Sequence, residues 1–124
     1  MRDLGYRRSE EALLRNLGLI AVCQKQFAAA QSYYDQSLAI ARDIGNSLEI
    51  GATLEHLGYL MKQQKKSQEA IAYYEQALDI WRRLSLSKRI DETMTCLETL
   101  KTNSSQFTFG RYRISFPSRN NPAT

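Results

Sequence analysis

The sequence predicts an all-α protein, an α-solenoid of antiparallel helix pairs, and three observations carry that expectation. The chain repeats itself at an offset of 40 residues: 12–50 and 52–90 share 15 identities in 39 aligned positions. A period of that size marks stacked units that each bury an apolar face on a neighbour. Within each unit the apolar residues fall three and four apart, as in Leu14, Leu17, Ala21 and Ala30, Tyr34, Leu38, which is helical spacing and not strand alternation. No proline occurs before Pro117, so no ring interrupts a helix earlier in the chain.

The spacing predicts helices over 9–24, 28–44, 48–64, 68–85 and 88–102. Ser9 reads as the N-cap of the first, with Glu10 and Glu11 in the turn where the helix dipole favours acids. This helix is apolar nearly all round (Ala12, Leu13, Leu14, Leu17, Leu19, Ile20, Ala21, Val22, Cys23), a pattern expected of a helix covered on several sides. Leu14, Leu17 and Ala21 are expected to face its own partner helix, Leu19 and Val22 a groove, and Leu13 and Ile20 the place where a preceding unit would stack. Gln24-Lys25-Gln26 is a polar turn, and the second helix carries the ladder Ala30, Tyr34, Leu38 before Gly45-Asn46 breaks the chain. The second unit repeats the plan. Ser47 is its expected cap, Leu54, Leu57 and Met61 its first apolar face, and Gln64-Lys65-Lys66 its turn. Ser67 with Glu69 then opens a helix bearing Ala70, Tyr74 and Leu78. The fifth helix keeps Met94, Leu97 and Leu100, but Glu98 stands where Gly18 and Gly58 stood, so it reads as a single capping helix.

The domain organisation follows: 1–8 as the end of a preceding repeat, 9–46 and 47–86 as two repeats, 87–102 as the capping helix, and 103–124 as a tail. The first segment is suggested by Arg2-Asp3-Leu4-Gly5, which matches Arg42-Asp43-Ile44-Gly45 at the same offset. The tail is expected to be mostly disordered. Phe107-Thr108-Phe109 and Tyr112 to Phe116 alternate like strands, but a lone two-stranded hairpin is marginal in water.

Leu14-x-x-Leu17-Gly18-x-x-Ala21 followed by Ala30-x-x-x-Tyr34, and again Leu54-x-x-Leu57-Gly58-x-x-Met61 followed by Ala70-x-x-x-Tyr74, resemble the tetratricopeptide repeat. Leu replaces that pattern's first Trp, Ala and Met replace its Tyr, and its closing Pro is absent. The 40-residue unit is similar to the extended repeats of large bacterial regulatory and scaffold proteins. The resemblance implies that the first helix of each unit lines a concave groove for an extended peptide or a partner helix. Mapped onto this chain, that groove comprises Ala12, Arg15, Asn16, Leu19, Val22 and Cys23, then Ala52, Glu55, His56, Tyr59, Lys62 and Gln63. Of these, Arg15, Asn16, Leu19, Glu55, His56, Tyr59, Lys62 and Gln63 are the candidate partner-binding residues. Asn16 matches a groove asparagine of extended-repeat relatives, while His56 and Cys96 stand in its place later. The carboxylate-holding set of chaperone-binding relatives is not reproduced, since Leu19 and His56 occupy two of its positions.

Composition narrows the function class. The net charge is +4, from 17 basic and 13 acidic residues, but Arg111, Arg113 and Arg119 lie in a tail with no acid. Residues 1–102 therefore hold 14 basic and 13 acidic side chains, and a nearly neutral body argues against a nucleic-acid interface. No apolar run approaches the ~18 residues of a membrane span, and the N-terminus lacks a signal-peptide pattern. Cys23 and Cys96 lie outside any C-x-x-C pair, which suggests reduced thiols in a cytoplasmic setting. The one histidine, His56, has no nucleophile motif beside it, three converging metal ligands cannot be assembled from spacing, and no phosphate loop is present. Neither catalytic residues, a metal nor a cofactor is expected. The expected function is a protein–protein interaction module or scaffold, binding a protein or peptide in its groove without chemistry of its own and self-associating through its N-terminal face. The alternative is a regulatory repeat segment of a larger signalling ATPase or transcription regulator.

Overall fold

Four of the five helices begin 20 residues apart, at Phe27, Ser47, Ser67 and Ser87. In the computed structural model, which describes the backbone of residues 4–110 and the side chains of 4–102, the elements are α1 (Leu4–Cys23), α2 (Phe27–Ile44), α3 (Ser47–Gln63), α4 (Ser67–Arg83) and α5 (Ser87–Gly110). The turns keep the same register. Lys25, Gly45, Lys65 and Ser85 all adopt positive φ, between 57° and 78°. In each turn the next residue's N–H returns to a carbonyl five positions back: Gln26 and Asn46 to Ala21 and Ala41, Lys66 and Leu86 to Met61 and Trp81. These are Schellman-type stops that satisfy the orphan carbonyls of the helix end. Only Gly45 adopts the left-handed conformation without a side-chain penalty; a β-carbon there costs roughly 1–2 kcal/mol.

Helix starts differ from the expected caps. Asn46, not Ser47, caps α3, its side chain accepting from the Glu49 N–H at 3.3 Å. Ser67 is the first residue of α4 rather than its cap, and Ser9 lies inside α1. The helix α1 starts at Leu4 and not at residue 9, so Gly5 is helical although its repeat-equivalent Gly45 ends a helix. Local sequence identity at 2–5 is outweighed by an uninterrupted helical run into the apolar residues that follow. At the other end α5 continues to Gly110, eight residues past the expected stop at 102, and takes in Phe107-Thr108-Phe109. Among the described residues there is no strand for this short alternating segment to pair with, and no proline or glycine stops the helix before Gly110. Tyr112 to Phe116 lies outside the described residues.

Successive helices pack in pairs, α1 on α2 and α3 on α4, with α2 against α3 and α4 against α5 completing the stack. The core runs through Ala30, Tyr34, Leu38, Leu54, Leu57, Leu60, Ala70, Tyr74, Ala77, Trp81, Leu97 and Leu100. Ala21 is buried as expected, whereas Val22 turns inward instead of lining a groove. Three aromatic rings lie directly on helix backbone. A β-carbon at Gly18 would come within 2.5 Å of the Tyr34 ring, at Gly51 within 2.6 Å of Trp81, and at Gly58 within 3.0 Å of Tyr74.

These distances order the outcome of adding one methyl. Alanine gains about 1 kcal/mol over glycine inside a helix, but overpacking a dense core loses about 1–3 kcal/mol. Gly18→Ala and Gly51→Ala, each driven into a fully buried ring, should lower the melting temperature. Gly58→Ala needs only a few tenths of an ångström from Tyr74 and should fall near neutral. Thermal unfolding of the three variants checks the order, and equal effects at all three would refute this packing.

Candidate partner-binding groove

The first helices of successive units, α1 and α3, together with α5, border an open cavity of about 500 Å³. Arg15 comes from α1, Leu48, Glu49, Ala52, Glu55 and His56 from α3, Tyr74 from α4, and Arg89, Glu92 and Cys96 from α5. Three candidates, Arg15, Glu55 and His56, are thus brought together on its wall. Asn16, Leu19, Tyr59, Lys62 and Gln63 are exposed and lie outside that lining.

Two ion pairs cross the cavity floor, and they are the same pair with its charges exchanged. Arg15 on α1 meets Glu49 at the start of α3, and Glu55 on α3 meets Arg89 at the start of α5 at 3.4 Å. Arg15 and Glu55 are repeat-equivalent, as are Glu49 and Arg89, so each position changes sign together with its partner. Each charge has further partners. Arg15 also donates to Glu11 at 2.8 Å, and the buried Glu11 carboxylate accepts from the Ser37 hydroxyl at 2.8 Å. Burial raises the Glu11 pKa, while Ser37 and Arg15 pull it down. Glu55 accepts from Trp81 Nε1 at 2.9 Å and from the Thr93 hydroxyl at 2.5 Å, and the Arg89 guanidinium lies 4.8 Å over the Trp81 ring.

The volumes are exchanged in the same way. Glu11 stands where Gly51 stands one unit later, and Ala41 where Trp81 stands. In the first unit a carboxylate occupies the layer beside a small residue. In the second an indole fills it, and its N–H goes to Glu55. The sequence signal for Glu49 and Arg89, which were not among the candidates, was this sign reversal at non-identical repeat positions.

His56 stacks on Tyr34 with ring centroids 5.5 Å apart and planes 18° from parallel. Burial lowers its pKa, with Arg15 and Arg89 adding to that and Glu55 and Glu49 opposing it. Burial likewise pushes the Tyr34 hydroxyl up to about 12 and the Tyr74 hydroxyl upward. Among the described residues no group of three or more His, Cys, Asp or Glu could hold a metal ion, and no helix is long and apolar enough to cross a membrane.

Reversing Arg15 alone sets three carboxylates together, so Arg15→Glu should cost about 1–3 kcal/mol. Adding Glu49→Arg recreates the sign order of the second brace and should recover most of that loss. A double-mutant cycle by urea unfolding should give a favourable coupling of about 0.5–3 kcal/mol; additive losses would show that the brace contributes nothing. For His56, the folded pKa lies below the unfolded value near 6.5. Below about pH 6.5 the unfolded chain therefore binds more protons, and stability falls as pH drops. His56→Gln should remove this part of the pH dependence, read as the difference between the two stability profiles from neutral to mildly acidic pH.

The tetratricopeptide repeat family profile matches residues 9–83. No curated protein matches the chain. With that match covering more than half of the sequence, on helices paired and stacked as described, the chain belongs to the tetratricopeptide repeat family.

Proposed function

We propose that the chain is a scaffold whose concave face, built by α1, α3 and α5, receives a segment of a partner protein and holds it without chemistry of its own. Tetratricopeptide repeats generally mediate protein–protein interaction, which supports the class. The observation that carries the reading for this chain is the cavity of about 500 Å³ spanning successive units, with the exposed Leu48 on its wall. Its charges are largely engaged with one another through the Arg15–Glu49 and Glu55–Arg89 braces. A partner would meet apolar anchors, Leu48 and Ala52, within a ring of fixed charge, with the exposed Tyr59 beyond the cavity rim. Aromatic and arginine side chains ringed by polar groups carry most of the binding energy in protein interfaces.

The test uses Leu48→Ala, Asn16→Ala and Tyr59→Ala combined, because all three side chains are exposed and their truncation leaves the core intact. Affinity capture with quantitative mass spectrometry should recover a protein on the wild type that is depleted at least tenfold on the variant, at unchanged circular dichroism. Equal recovery on both would reject the groove.

A further inference from the structure

The charge exchange that balances the two braces fails at one position on the cavity wall. The repeat-equivalent of Ala12 and Ala52 in α5 is Glu92, a third carboxylate beside Glu49 and Glu55. No base accompanies it. Arg15 is shared between Glu11 and Glu49, and Arg89 pairs with Glu55 while lying over the Trp81 ring. The lining therefore carries three acids against two bases, and both bases are engaged. Glu92 is exposed and has no ion-pair or hydrogen-bond partner among the described residues. A second group on the same wall is also unpartnered. Tyr34 and Tyr74 are repeat-equivalent, but His56 stacks its ring on Tyr34, whereas the matching residue beside Tyr74 is the smaller Cys96. Tyr74 reaches the cavity wall, 6% exposed, and its hydroxyl is bonded to nothing among the described residues. Burial, with Cys96 and Glu55 nearby, holds that hydroxyl protonated. A nearly buried hydroxyl left unsatisfied is costly, and a bonding group brought from outside the chain removes the cost.

We propose that the cavity receives a lysine or arginine side chain of the partner segment, held by Glu92 and the Tyr74 hydroxyl. The proposal rests on the reading of this cavity as the partner groove, and adds the chemistry of what enters it. A basic side chain has an apolar stem and a charged head. The stem lies along Leu48 and Ala52, and the head pairs with Glu92 and donates to the Tyr74 hydroxyl oxygen. An acidic segment fits worse. It would have to take Arg15 or Arg89 from carboxylates that already hold them, and it would meet Glu92 as a like charge. The closed braces thus leave one sign of charge available to a partner, and that sign selects a cation.

The test titrates the full chain with a positional-scanning library of extended peptides, one central position fixed in turn as arginine, lysine, alanine or glutamate. The arginine or lysine peptides should bind tightest, and their affinity should fall as salt is raised. On the best of them Glu92→Gln and Tyr74→Phe should each weaken binding about threefold to tenfold. The melting temperature should stay unchanged, since neither variant removes a bond that the folded chain makes. Replacing the peptide's basic residue with alanine should abolish the sensitivity to Glu92→Gln. Tightest binding by the alanine or glutamate peptides, weakened by Leu48→Ala, would overturn the basic residue and leave the groove standing. Basic peptides that respond to Leu48→Ala but ignore Glu92→Gln and Tyr74→Phe would do the same. Indifference to all three variants would remove the groove as well. Failure of every peptide to bind also overturns the proposal, and dimers in sedimentation would then give the cavity to a second copy.

Discussion

An aromatic ring seated on bare helix backbone is the constraint on which this stack depends. Gly18 under Tyr34 and Gly58 under Tyr74 let the two helices of each unit approach until the ring touches the main chain. Ala30 and Ala70, fully buried, keep the rest of the crossing equally narrow. Side chains in such a dense layer have few alternative positions, so the ring also fixes what lies on it. Tyr34 carries His56 of the next unit on its face, and Tyr74 reaches the wall of the cavity. The geometry of the cavity therefore begins in the core, with Tyr74 itself on its wall and Tyr34 holding His56 there.

The two units share many residues, and where they differ in this layer the differences compensate one another. Glu11, Ser37 and Ala41 become Gly51, Ala77 and Trp81, exchanging a hydrogen-bonded carboxylate for an indole in the same layer. The polar group lost at Ser37 is matched by the donor gained at Trp81 Nε1, which goes to Glu55. Glu55 is itself the charge-reversed copy of Arg15. A buried or half-buried polar group left without its partner would cost more than the bond contributes when made, which makes these exchanges interdependent. Any single member transplanted into the other unit would leave an orphan or a clash.

Helix existence and pairing were legible from Leu14, Leu17, Ala30, Tyr34 and their copies, because period and apolar spacing act locally. The stops were only partly legible. Gly45 announces a left-handed residue, but Lys25, Lys65 and Ser85 adopt the same conformation without a glycine to mark it. The end of α5 was missed because alternation at 107–109 resembles a strand, while strand formation depends on neighbours that no local pattern reports. For the cavity, resemblance indicated the helices and a face, and Arg15, Glu55 and His56 of that face lie on its wall. It did not indicate Leu48, Glu49 and Arg89, because residues at the start of one helix reach the cavity only when stacked against the preceding unit. Positions that differ between repeats carried that information, in the form of opposite signs, and identities alone could not.

The braces also divide the work between the two faces of the array. Arg15–Glu49 joins α1 to α3 and Glu55–Arg89 joins α3 to α5, so both gaps along the cavity are bridged by charges held within the chain. A surface whose charges are already paired gives up less ordering entropy when a partner arrives, since its side chains are fixed beforehand. Such a surface also offers less net charge, so a partner bound in the proposed groove would be selected by shape and by exposed apolar groups such as Leu48 and Tyr59. On the outer side of α1 the equivalent position is Ser9, a neutral side chain where its two copies, Glu49 and Arg89, are charged. On that side Leu13 and Ile20 are exposed, where the equivalent Thr53 and Leu60 are buried.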